Sequence, residues 1–371
     1  MTQQPDLIAG GGIAGLAMAL ALGRSEALIL EKSAHFGEAG AGLQLGPNAV
    51  RALQKLGAWD AVSPITSSPP EIHIWDGVTG KRLKRLALGQ DFERRFGSPY
   101  RVAHRADLHR ALLGLVRSRS NLIAQLGSAI SEVGPDPVGV KVLAGNNVHR
   151  GQRLWGADGV HSMIRQRLVP GSAPVDSGAR FHRALLSQNP AATDVDYSCV
   201  NLWMFPAGHV VHYPVGAAQR LNVVAIVPND VEPRMHFRSA CPSLQQIVES
   251  LQDASIWPGL YVKPLPTWQF GKITLLGDAA HGTLPYLAQG AAMALEDAAA
   301  LMGGFAASDP ATILNSRRQR TALLHHKTLA VGRTYHLGGV MRIMRNCSIT
   351  VGPGSLMQKQ LAWIYQHAGE N

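Results

Sequence analysis

Residues 273–301 read ITLLGDAAHGTLPYLAQGAAMALEDAAAL, and the predicted fold depends on this stretch. Its first four residues are β-branched and aliphatic, which predicts a short buried strand. Gly277 and Asp278 end that strand, and we expect a loop that continues to Gly290. From Ala291 onward the residues are strong helix formers. A strand, a loop that begins with an acid and a helix whose first amides face that loop together predict a site for an anionic ligand.

A second glycine-rich stretch, GGGIAG at residues 10–15, lies near the N-terminus. Leu7–Ala9 before it predicts a strand, and Leu16–Leu22 after it predicts a helix. A second predicted strand, Ala27–Leu30, ends in Glu31. This is the G-x-G-x-x-G pattern inside a βαβ unit with an acid at the end of the second strand, which indicates a dinucleotide site.

Each residue of this pattern has an expected task. Gly10 permits the tight turn, Gly12 lets the backbone approach a pyrophosphate, and Gly15 allows the helix to pack closely on the strand. Glu31 can bind both hydroxyls of an adenosine ribose. The pattern alone leaves FAD and a nicotinamide nucleotide open. The segment 38–56 favours flavin, because its glycines, Gly40 included, interrupt the regular strand and helix alternation of a nicotinamide dehydrogenase.

Composition indicates a compact enzyme. The chain has 371 residues, of which 46% are hydrophobic and 16% are charged. The net charge of +10 comes from scattered Lys and Arg residues, so an anion-attracting surface is favoured over a nucleic-acid face. Cys199, Cys241 and Cys347 show no metal-ligand spacing, so we expect no metal site and a reducing, cytoplasmic location. Leu7–Gly23 is apolar but too short to span a bilayer, so no integral membrane segment is expected.

Two further stretches repeat the strand, loop and helix order. Val102–Leu113 reads VAHRADLHRALL, with Arg105 at the predicted junction and Asp107 as the predicted helix cap. Leu154–Arg165 reads LWGADGVHSMIR and predicts a strand, an acidic turn at Asp158 and a helix. Behind the N-terminal motif, this second acidic turn predicts another dinucleotide contact.

These motifs, in this order, resemble the single-component flavoprotein aromatic hydroxylases. The set is G-x-G-x-x-G with Glu31, the Arg105-x-Asp107-Leu108 element, the GADG-x-x-S-x-x-R run that ends at Arg165, and LGDAAH at 276–281. The resemblance extends over nearly the whole chain and is nearest to the salicylate, 3-hydroxybenzoate and 6-hydroxynicotinate hydroxylase branch. One position departs from the family pattern: Gly282 stands where proline usually follows the histidine, which is expected to loosen a loop near the flavin.

The resemblance implies an α/β fold. It comprises a Rossmann-like FAD-binding domain of the p-hydroxybenzoate hydroxylase type, interleaved with a β-sheet substrate domain and followed by a helical C-terminal tail. The expected FAD-binding domain is discontinuous and covers residues 1–70, 101–172 and 271–330. Residues 71–100 and 173–270 would form the substrate domain, because they read as short alternating strands. Residues 331–371 would form the helical segment.

The same resemblance supplies cofactor contacts. Arg105 would contact FAD, and Asp158 and Asp278 would contact its pyrophosphate or ribityl chain. The amides of Gly290, Ala291 and Ala292, at a helix N-terminus, would stabilise negative charge on the reduced flavin. We further assign cofactor binding to Ile13, Ala14, Lys32 and Gln44.

Substrate contacts follow from the strand 209–214 and from the loop before residue 290. A strand period of two places His209, Val211 and Tyr213 on one face. The resemblance assigns His209 and Tyr213 to the ring pocket, and Gln289 to substrate contact; we assign catalytic roles to these three. Tyr100, Pro285 and Tyr286 are assigned to substrate binding. A neutral histidine beside a phenol oxygen can accept its proton.

The expected activity is hydroxylation of a small phenolic or heteroaromatic substrate with FAD, NADH or NADPH, and O2, through a flavin C4a-hydroperoxide. Such an enzyme would serve aromatic compound catabolism as a monomer or homodimer. Two alternatives stay open from the residues. One is the same chemistry on a larger ring such as a quinone, polyketide, quinolone or urate-like compound, and the other is a flavin redox protein that does not hydroxylate. The basic, methionine-bearing segment 340–345 also leaves a peripheral membrane contact open.

Overall fold

The structure is a computed structural model that describes residues 4–36, 42–137, 139–190, 194–216, 220–302 and 310–366. Gly40, part of the glycine-rich segment that favours flavin, lies outside these residues. The strands in chain order are β1 (Asp6–Ala9), β2 (Ala27–Leu30), β3 (Gly42–Leu45), β4 (Thr66–Ser67), β5 (Glu71–Asp76), β6 (Arg82–Ala87), β7 (Arg101–His104), β8 (Leu122–Gln125), β9 (Ile130–Asp136), β10 (Gly139–Ala144), β11 (Asn147–Gly151), β12 (Leu154–Gly156), β13 (Val175–Leu186), β14 (Val200–Phe205), β15 (Gly208–Val215), β16 (Arg220–Pro228), β17 (Ser255–Tyr261), β18 (Gln269–Phe270) and β19 (Ile273–Leu275).

The α-helices in chain order are α1 (Ile13–Ala21), α2 (Pro47–Lys55), α3 (Trp59–Val62), α4 (Gln90–Phe96), α5 (Arg105–Arg117), α6 (Met163–Leu168), α7 (Pro233–His236), α8 (Pro242–Glu249), α9 (Asp278–His281), α10 (Gly290–Leu301), α11 (Pro310–Tyr335), α12 (Gly339–Val351) and α13 (Gly354–Tyr365). Two 3-10 turns, Ser63–Ile65 and Pro285–Leu287, accompany them. Within the described chain, no helix is both long enough and apolar enough to cross a bilayer.

A six-stranded sheet contains both glycine motifs. Its order is β18-β19-β12-β1-β2-β8, and the five strands from β19 to β8 are parallel. Helix α1 is buried along most of its length, because its Leu, Met and Ala side chains lie between this sheet and α10. The βαβ unit predicted from G-x-G-x-x-G is therefore confirmed, with the helix beginning at Ile13 rather than Leu16.

A seven-stranded sheet follows the order β17-β13-β16-β15-β14-β5-β6. One of its faces packs on α8 through a core that includes Trp75 and Trp203, whose rings stack with centroids 4.7 Å apart. The opposite face carries His209, Val211 and Tyr213, as the period of two predicts. Strands from 71–87 and from 175–261 join in this one sheet.

The predicted α/β class and the helical C-terminal region are confirmed. Two local predictions are wrong. The segment between Gly277 and Gly290 is not a plain loop, because α9 and the 3-10 turn Pro285–Leu287 occupy most of it. Asp107 does not cap α5: the cap position is His104, and the Asp107 carboxylate instead accepts a hydrogen bond from Arg110 at 2.8 Å.

Candidate active site

The dinucleotide motifs meet at one edge of the six-stranded sheet. β19, β12, β1 and β2 are neighbouring parallel strands, so their carboxyl ends lie side by side. These ends lead respectively to Asp278, Asp158, the triple glycine and Glu31. Ligands of open α/β sheets bind outside the carboxyl ends of the strands. Four segments that are distant in sequence are thus brought to one edge.

Contacts between the loops are too close for side chains. Gly10 has φ +100°, and a Cβ there would lie 2.5 Å from the Ala157 carbonyl oxygen. A Cβ on Gly15 would lie 1.9 Å from the Gly10 carbonyl oxygen, and one on Gly277 would lie 2.7 Å from the Ala14 Cβ. Glycine is required at Gly10 because the loop after β1 packs directly on the loop after β12, at Gly15 because α1 packs against the turn that precedes it, and at Gly277 because the loop after β19 packs on α1.

Glu31 extends from the end of β2 toward the glycine loop. Its carboxylate accepts hydrogen bonds from the Gly11 amide at 2.6 Å and from the Ser33 amide at 2.9 Å. A carboxylate has about four acceptor positions, so capacity is left for ribose hydroxyls. Lys32, the next predicted contact, is exposed beside it.

Arg165 joins the two acidic loops, a role that sequence reasoning did not assign. Its fully buried guanidinium donates to the Val160 carbonyl at 2.6 Å and to the Ala279 carbonyl at 3.0 Å. Burial lowers the pKa of Arg165, while Asp158 and Asp278 oppose that shift. One arginine therefore fixes both loops and holds positive charge close to both acids.

The buried atoms of this edge fit a flavin dinucleotide. Asp158 Oδ2 accepts from the Ile164 amide at 3.2 Å, but Asp158 Oδ1 is buried and lacks a hydrogen-bond partner among the described residues. The Ncap residues of α1 and α10, Gly12 and Gln289, make no side-chain cap, so the first amides of both helices remain available to an anion. These are the amides of Ile13 and Ala14, and of Gly290, Ala291 and Ala292.

Gly282 is held at both of its peptide groups. Its amide donates to the Asp278 carbonyl at 3.2 Å, and its carbonyl accepts from the Val262 amide at 2.7 Å. Proline would remove the first of these bonds, because it has no N–H. The glycine therefore keeps a hydrogen bond that the usual proline of this family cannot make, and the expected loosening of the loop does not extend to its hydrogen bonding.

Replacing Gly15 with alanine is expected to weaken FAD binding about tenfold or more, since overpacking costs about 1–3 kcal/mol. The new methyl group would collide with the Gly10 carbonyl, which is backbone and cannot rotate away. Gly114→Ala is the matched control, because that helical glycine has open space around it. Titration of the apoprotein with FAD, followed by flavin fluorescence, measures both. Equal affinity in the two variants would contradict the assigned role of Gly15.

The second part of the site lies on the face of β15 that points away from α8. His209 is 2% exposed and is enclosed by aromatic rings: Tyr286 lies 5.3 Å away and Tyr335 lies 5.4 Å away, centroid to centroid. Burial, followed by the neighbouring His336, lowers the pKa of His209 well below its ordinary value. His209 is therefore neutral at physiological pH, so one of its ring nitrogens carries a lone pair.

Tyr213 belongs to an adjacent aromatic group. The Tyr100 hydroxyl donates to the Gln44 side chain, which also hydrogen-bonds Tyr213. The rings of Tyr100 and Tyr365 pack edge to face at 6.3 Å. Gln44, assigned above to the cofactor, thus lies between two predicted substrate tyrosines. Four residues of strand separate His209 from Tyr213 by roughly 13 Å, so the two can contact opposite ends of one ligand.

The segment Pro285–Gln289 connects the two parts of the site. It begins as a 3-10 turn that carries Pro285 and Tyr286, then places Ala288 at φ +53°, a conformation that residues other than glycine seldom adopt. Gln289 is the N-cap residue of α10. Tyr286, whose ring contacts His209, is therefore only four residues before Gly290, the first residue of α10.

A buried polar network supports this segment from behind, and sequence reasoning missed it. Asn48 donates to Gln289 at 2.9 Å and to Glu296 at 2.6 Å. Glu296 also accepts from Arg320, whose guanidinium continues to the Ile364 carbonyl of α13 at 2.8 Å. The sequence shows only two adjacent acids in an alanine-rich helix, and their partners come from distant segments.

Asp297, the second acid of that helix, holds the loop that carries Asp278. It accepts hydrogen bonds from the Gly277 amide at 3.1 Å, from His281 at 2.6 Å and from Arg317 at 3.0 Å. Burial alone would raise the pKa of Asp297, but His281 and Arg317 hold it below its ordinary value.

Comparisons with known proteins identify the class of protein. A family model described as an FAD binding domain matches residues 4–310. A 3-hydroxybenzoate 6-hydroxylase of Polaromonas naphthalenivorans strain CJ2 is 34% identical over 363 residues, which cover 92% of this chain and 90% of that protein. Klebsiella pneumoniae HpxO, solved with FAD and uric acid, superposes with a TM-score of 0.84 at 21% identity and covers 97% of both chains. A salicylate hydroxylase substrate complex superposes with a TM-score of 0.80 at 23% identity, over 99% of this chain and 96% of that one.

The fold and the motif edge thus define an FAD-binding flavoprotein. The sequence relationship is more specific, because one relative exceeds 30% identity over most of both chains. The chain belongs to the family of FAD-dependent aromatic hydroxylases, monooxygenases that use NAD(P)H and O2. The predicted family, fold class, cofactor and enzyme class are confirmed.

Proposed function

We propose that this protein hydroxylates a small phenolic or heteroaromatic acid, and that the ring binds between the β15 face and the start of α10. One observation carries the proposal. The segment Pro285–Gln289 joins Tyr286, whose ring is 5.3 Å from that of His209, to the helix whose first amides face the motif edge. A ring held by His209 would therefore lie next to a flavin held by α10.

Residue roles follow from this placement. Ile13, Ala14 and Gly15 would bind the pyrophosphate with Asp158, and Asp278 would contact the ribityl chain. Bound FAD, once reduced by NAD(P)H, supplies an electrophilic oxygen atom from O2. The aromatic side chains of Tyr286 and Tyr335 would exclude water from the ring. His209 would accept the phenol proton at its free ring nitrogen, which makes the ring electron-rich.

An anionic substituent on the substrate is supported by Arg183. It pairs in register with Val224, which pairs with Val211, so its side chain shares the sheet face of His209 and Tyr213. Two strand spacings, about 10 Å, separate it from β15, which suits a single ring with substituents. Its Nε is buried and has no hydrogen-bond partner among the described residues, and its guanidinium lies over the rings of Phe181 and Trp257 at 5.7 Å and 5.3 Å. The similar 3-hydroxybenzoate 6-hydroxylase is named for a substrate of this kind.

The domain division belongs to the same proposal. We assign residues 1–70, 101–172 and 271–330 to FAD binding, 71–100 and 173–270 to the substrate sheet, and 331–371 to the C-terminal segment. The separate six-stranded and seven-stranded sheets support this division. We also propose a cytoplasmic monomer or homodimer, for which the free thiols of Cys199, Cys241 and Cys347 are consistent with a reducing compartment.

The decisive experiment measures NADH and NADPH oxidation by the FAD-loaded protein across hydroxybenzoates, hydroxypyridines and quinolones, with products weighed by mass spectrometry. We expect at least one hydroxylated ring acid to accelerate oxidation and gain one oxygen atom. Acceleration that yields only hydrogen peroxide would identify ligands that fit but are not substrates. If every small acid fails while a larger ring is hydroxylated, the proposed substrate class is wrong. If no ligand is hydroxylated, a redox function without hydroxylation gains support.

A further inference from the structure

A second histidine contacts the candidate base. His209 Nδ1 and His336 Nε2 are 2.8 Å apart, which is hydrogen-bond distance between two ring nitrogens. His336 directly follows the last residue of α11, so the pair joins positions 127 residues apart in sequence. The hydrogen bond occupies Nδ1 of His209 and leaves Nε2 as the ring nitrogen available to a ligand.

The two histidines differ in their access to water. His209 is buried, whereas His336 is half-buried at the end of its helix. Burial lowers the pKa of His336 to about 4, with further lowering by His236 and Arg345. The rings of Tyr286 and Tyr335 also face the pair, and both phenols remain neutral because burial raises their pKa to about 12. Both histidines are therefore neutral near pH 7.

The protonated form of His209 is energetically unfavourable. An imidazolium at a fully buried position without a counter-charge is disfavoured by desolvation. In the proposed function His209 nevertheless accepts a phenol proton. The cost is avoided if His209 releases one proton as it gains another, because the buried ring then stays neutral throughout.

We propose that His336 completes a two-histidine proton relay that connects the substrate phenol to solvent through His209. The phenol O–H bond breaks as a bond forms between that proton and His209 Nε2. The His209 Nδ1–H bond breaks as its proton bonds to His336 Nε2, and the Nδ1 proton of His336 leaves to water. Each ring gains one proton and loses one, and the phenolate keeps the electron pair. The relay rests on the proposed function and deepens it.

The fold fixes His336 on both sides. Its carbonyl accepts from the Ala207 amide at 3.0 Å, in the turn between β14 and β15, and its amide donates to the Gly332 carbonyl at 3.2 Å. Arg345 donates to the Tyr335 carbonyl at 2.7 Å, which secures the helix end. A Cβ on Gly332 would lie 2.4 Å from the Tyr286 ring. Glycine at this position therefore leaves room for that ring to pack against His209 and His336.

The relay can be tested without turnover. The oxidised, FAD-loaded protein is mixed under anaerobic conditions with 3-hydroxy-4-nitrobenzoate, whose phenolate absorbs visible light, below the pH at which the free ligand ionises. Stopped-flow absorbance then gives the rate of phenolate formation. We expect His336→Ala to slow this rate about tenfold to a hundredfold, within the range of general acid–base effects, and added imidazole to restore it. His336→Gln can still hydrogen-bond to His209 but cannot relay, so it should also be slow.

The control is His326→Gln, an exposed histidine on α11, which should ionise the ligand at the wild-type rate. Flavin retention reports that each variant is folded. If His209→Gln slows phenolate formation while both His336 variants form the phenolate at the wild-type rate, the relay is overturned and the base assignment stands. If His336→Ala is slow but His336→Gln is fast and imidazole has no effect, His336 only supports the fold and the relay is equally wrong. If the His209 and His336 variants are all fast, the base assignment in the proposed function fails together with the relay.

Discussion

Arg317→Met is expected to lower the free energy of unfolding by about 3–5 kcal/mol, the usual cost of breaking a buried ion pair by removing one partner. The Arg317 side chain is almost fully buried and donates to both Asp297 and Glu296. Methionine keeps most of the side-chain volume of arginine, but it removes the positive charge beside the buried carboxylates of Asp297 and Glu296. Denaturant unfolding at pH 8, with the free energy extrapolated to water, measures the loss.

The stability difference between the native protein and Arg317→Met is expected to depend on pH. In the native protein Arg317 and its neighbours hold the pKa of Asp297 and Glu296 below their ordinary values, so these acids contribute stability above the unfolded pKa and lose it as pH falls through the folded pKa. In the variant burial dominates and those pKa values rise, so the variant is penalised most at high pH. The stability difference should therefore shrink between pH 8 and pH 5.

The control is Arg318→Met on the same helix, where the guanidinium donates to the exposed Asn315 at 2.8 Å and, within the described part of the chain, to no other side chain. It should change the free energy of unfolding by about 0.5 kcal/mol or less. A difference between native protein and Arg317→Met that stays constant with pH would show that the loss comes from packing alone, and would contradict the electrostatic argument.

His209→Gln is expected to reduce the rate of hydroxylation by about 10²- to 10⁴-fold, the typical contribution of a positioned general base. Glutamine is close in size and can hydrogen-bond a phenol, but it cannot accept the proton at neutral pH. Flavin affinity should be unchanged, since His209 lies on β15 rather than on the motif edge. Single-turnover product formation, with the product weighed, measures the effect separately from NAD(P)H oxidation.

His212→Gln is the matched control. His212 lies on the same strand but on the opposite face, where its Nε2 accepts from the Trp203 indole at 3.1 Å, a bond that a glutamine carbonyl can replace. It should hydroxylate at nearly the native rate. If His209→Gln keeps coupled hydroxylation within about threefold of the native rate, His209 is not the general base, because that role contributes about 10²- to 10⁴-fold.

Local chemistry explains which features were predictable. The glycine and acid spacing of the first βαβ unit is set by contacts within thirty residues or so, and both strands appear where the sequence places them. The face of β15 was predictable because strand alternation needs no partner. The cap of α5 was not, since His104 and Asp107 are both near the helix start and only the backbone shows which residue occupies the cap position.

Long-range pairing explains what was missed. Nothing near His336 in sequence indicates His209, and nothing in the alanine-rich α10 indicates Arg317, Arg320 or Asn48. The contact between Gln44 and Tyr100 was not predictable either, because it depends on the pairing of β3 with β7 in a small sheet that the sequence did not predict, and the assignment of Gln44 to the cofactor stays a prediction. Such partners are set by the sheet order and by helix packing, which a single sequence does not encode in any local pattern.

The contact between Arg51 and the Tyr365 carbonyl has a consequence for how the protein is made. It joins α2 to α13 across 314 residues, and Tyr365 packs among the pocket aromatics Phe96 and Tyr100. During translation the early βαβ unit emerges long before α13 does. The aromatic group can close only after residue 365 has been synthesised, so loop closure over nearly the whole chain comes late in folding. A ribosome that stalls shortly before this point would release a chain with its glycine motifs intact and its ring pocket open to water.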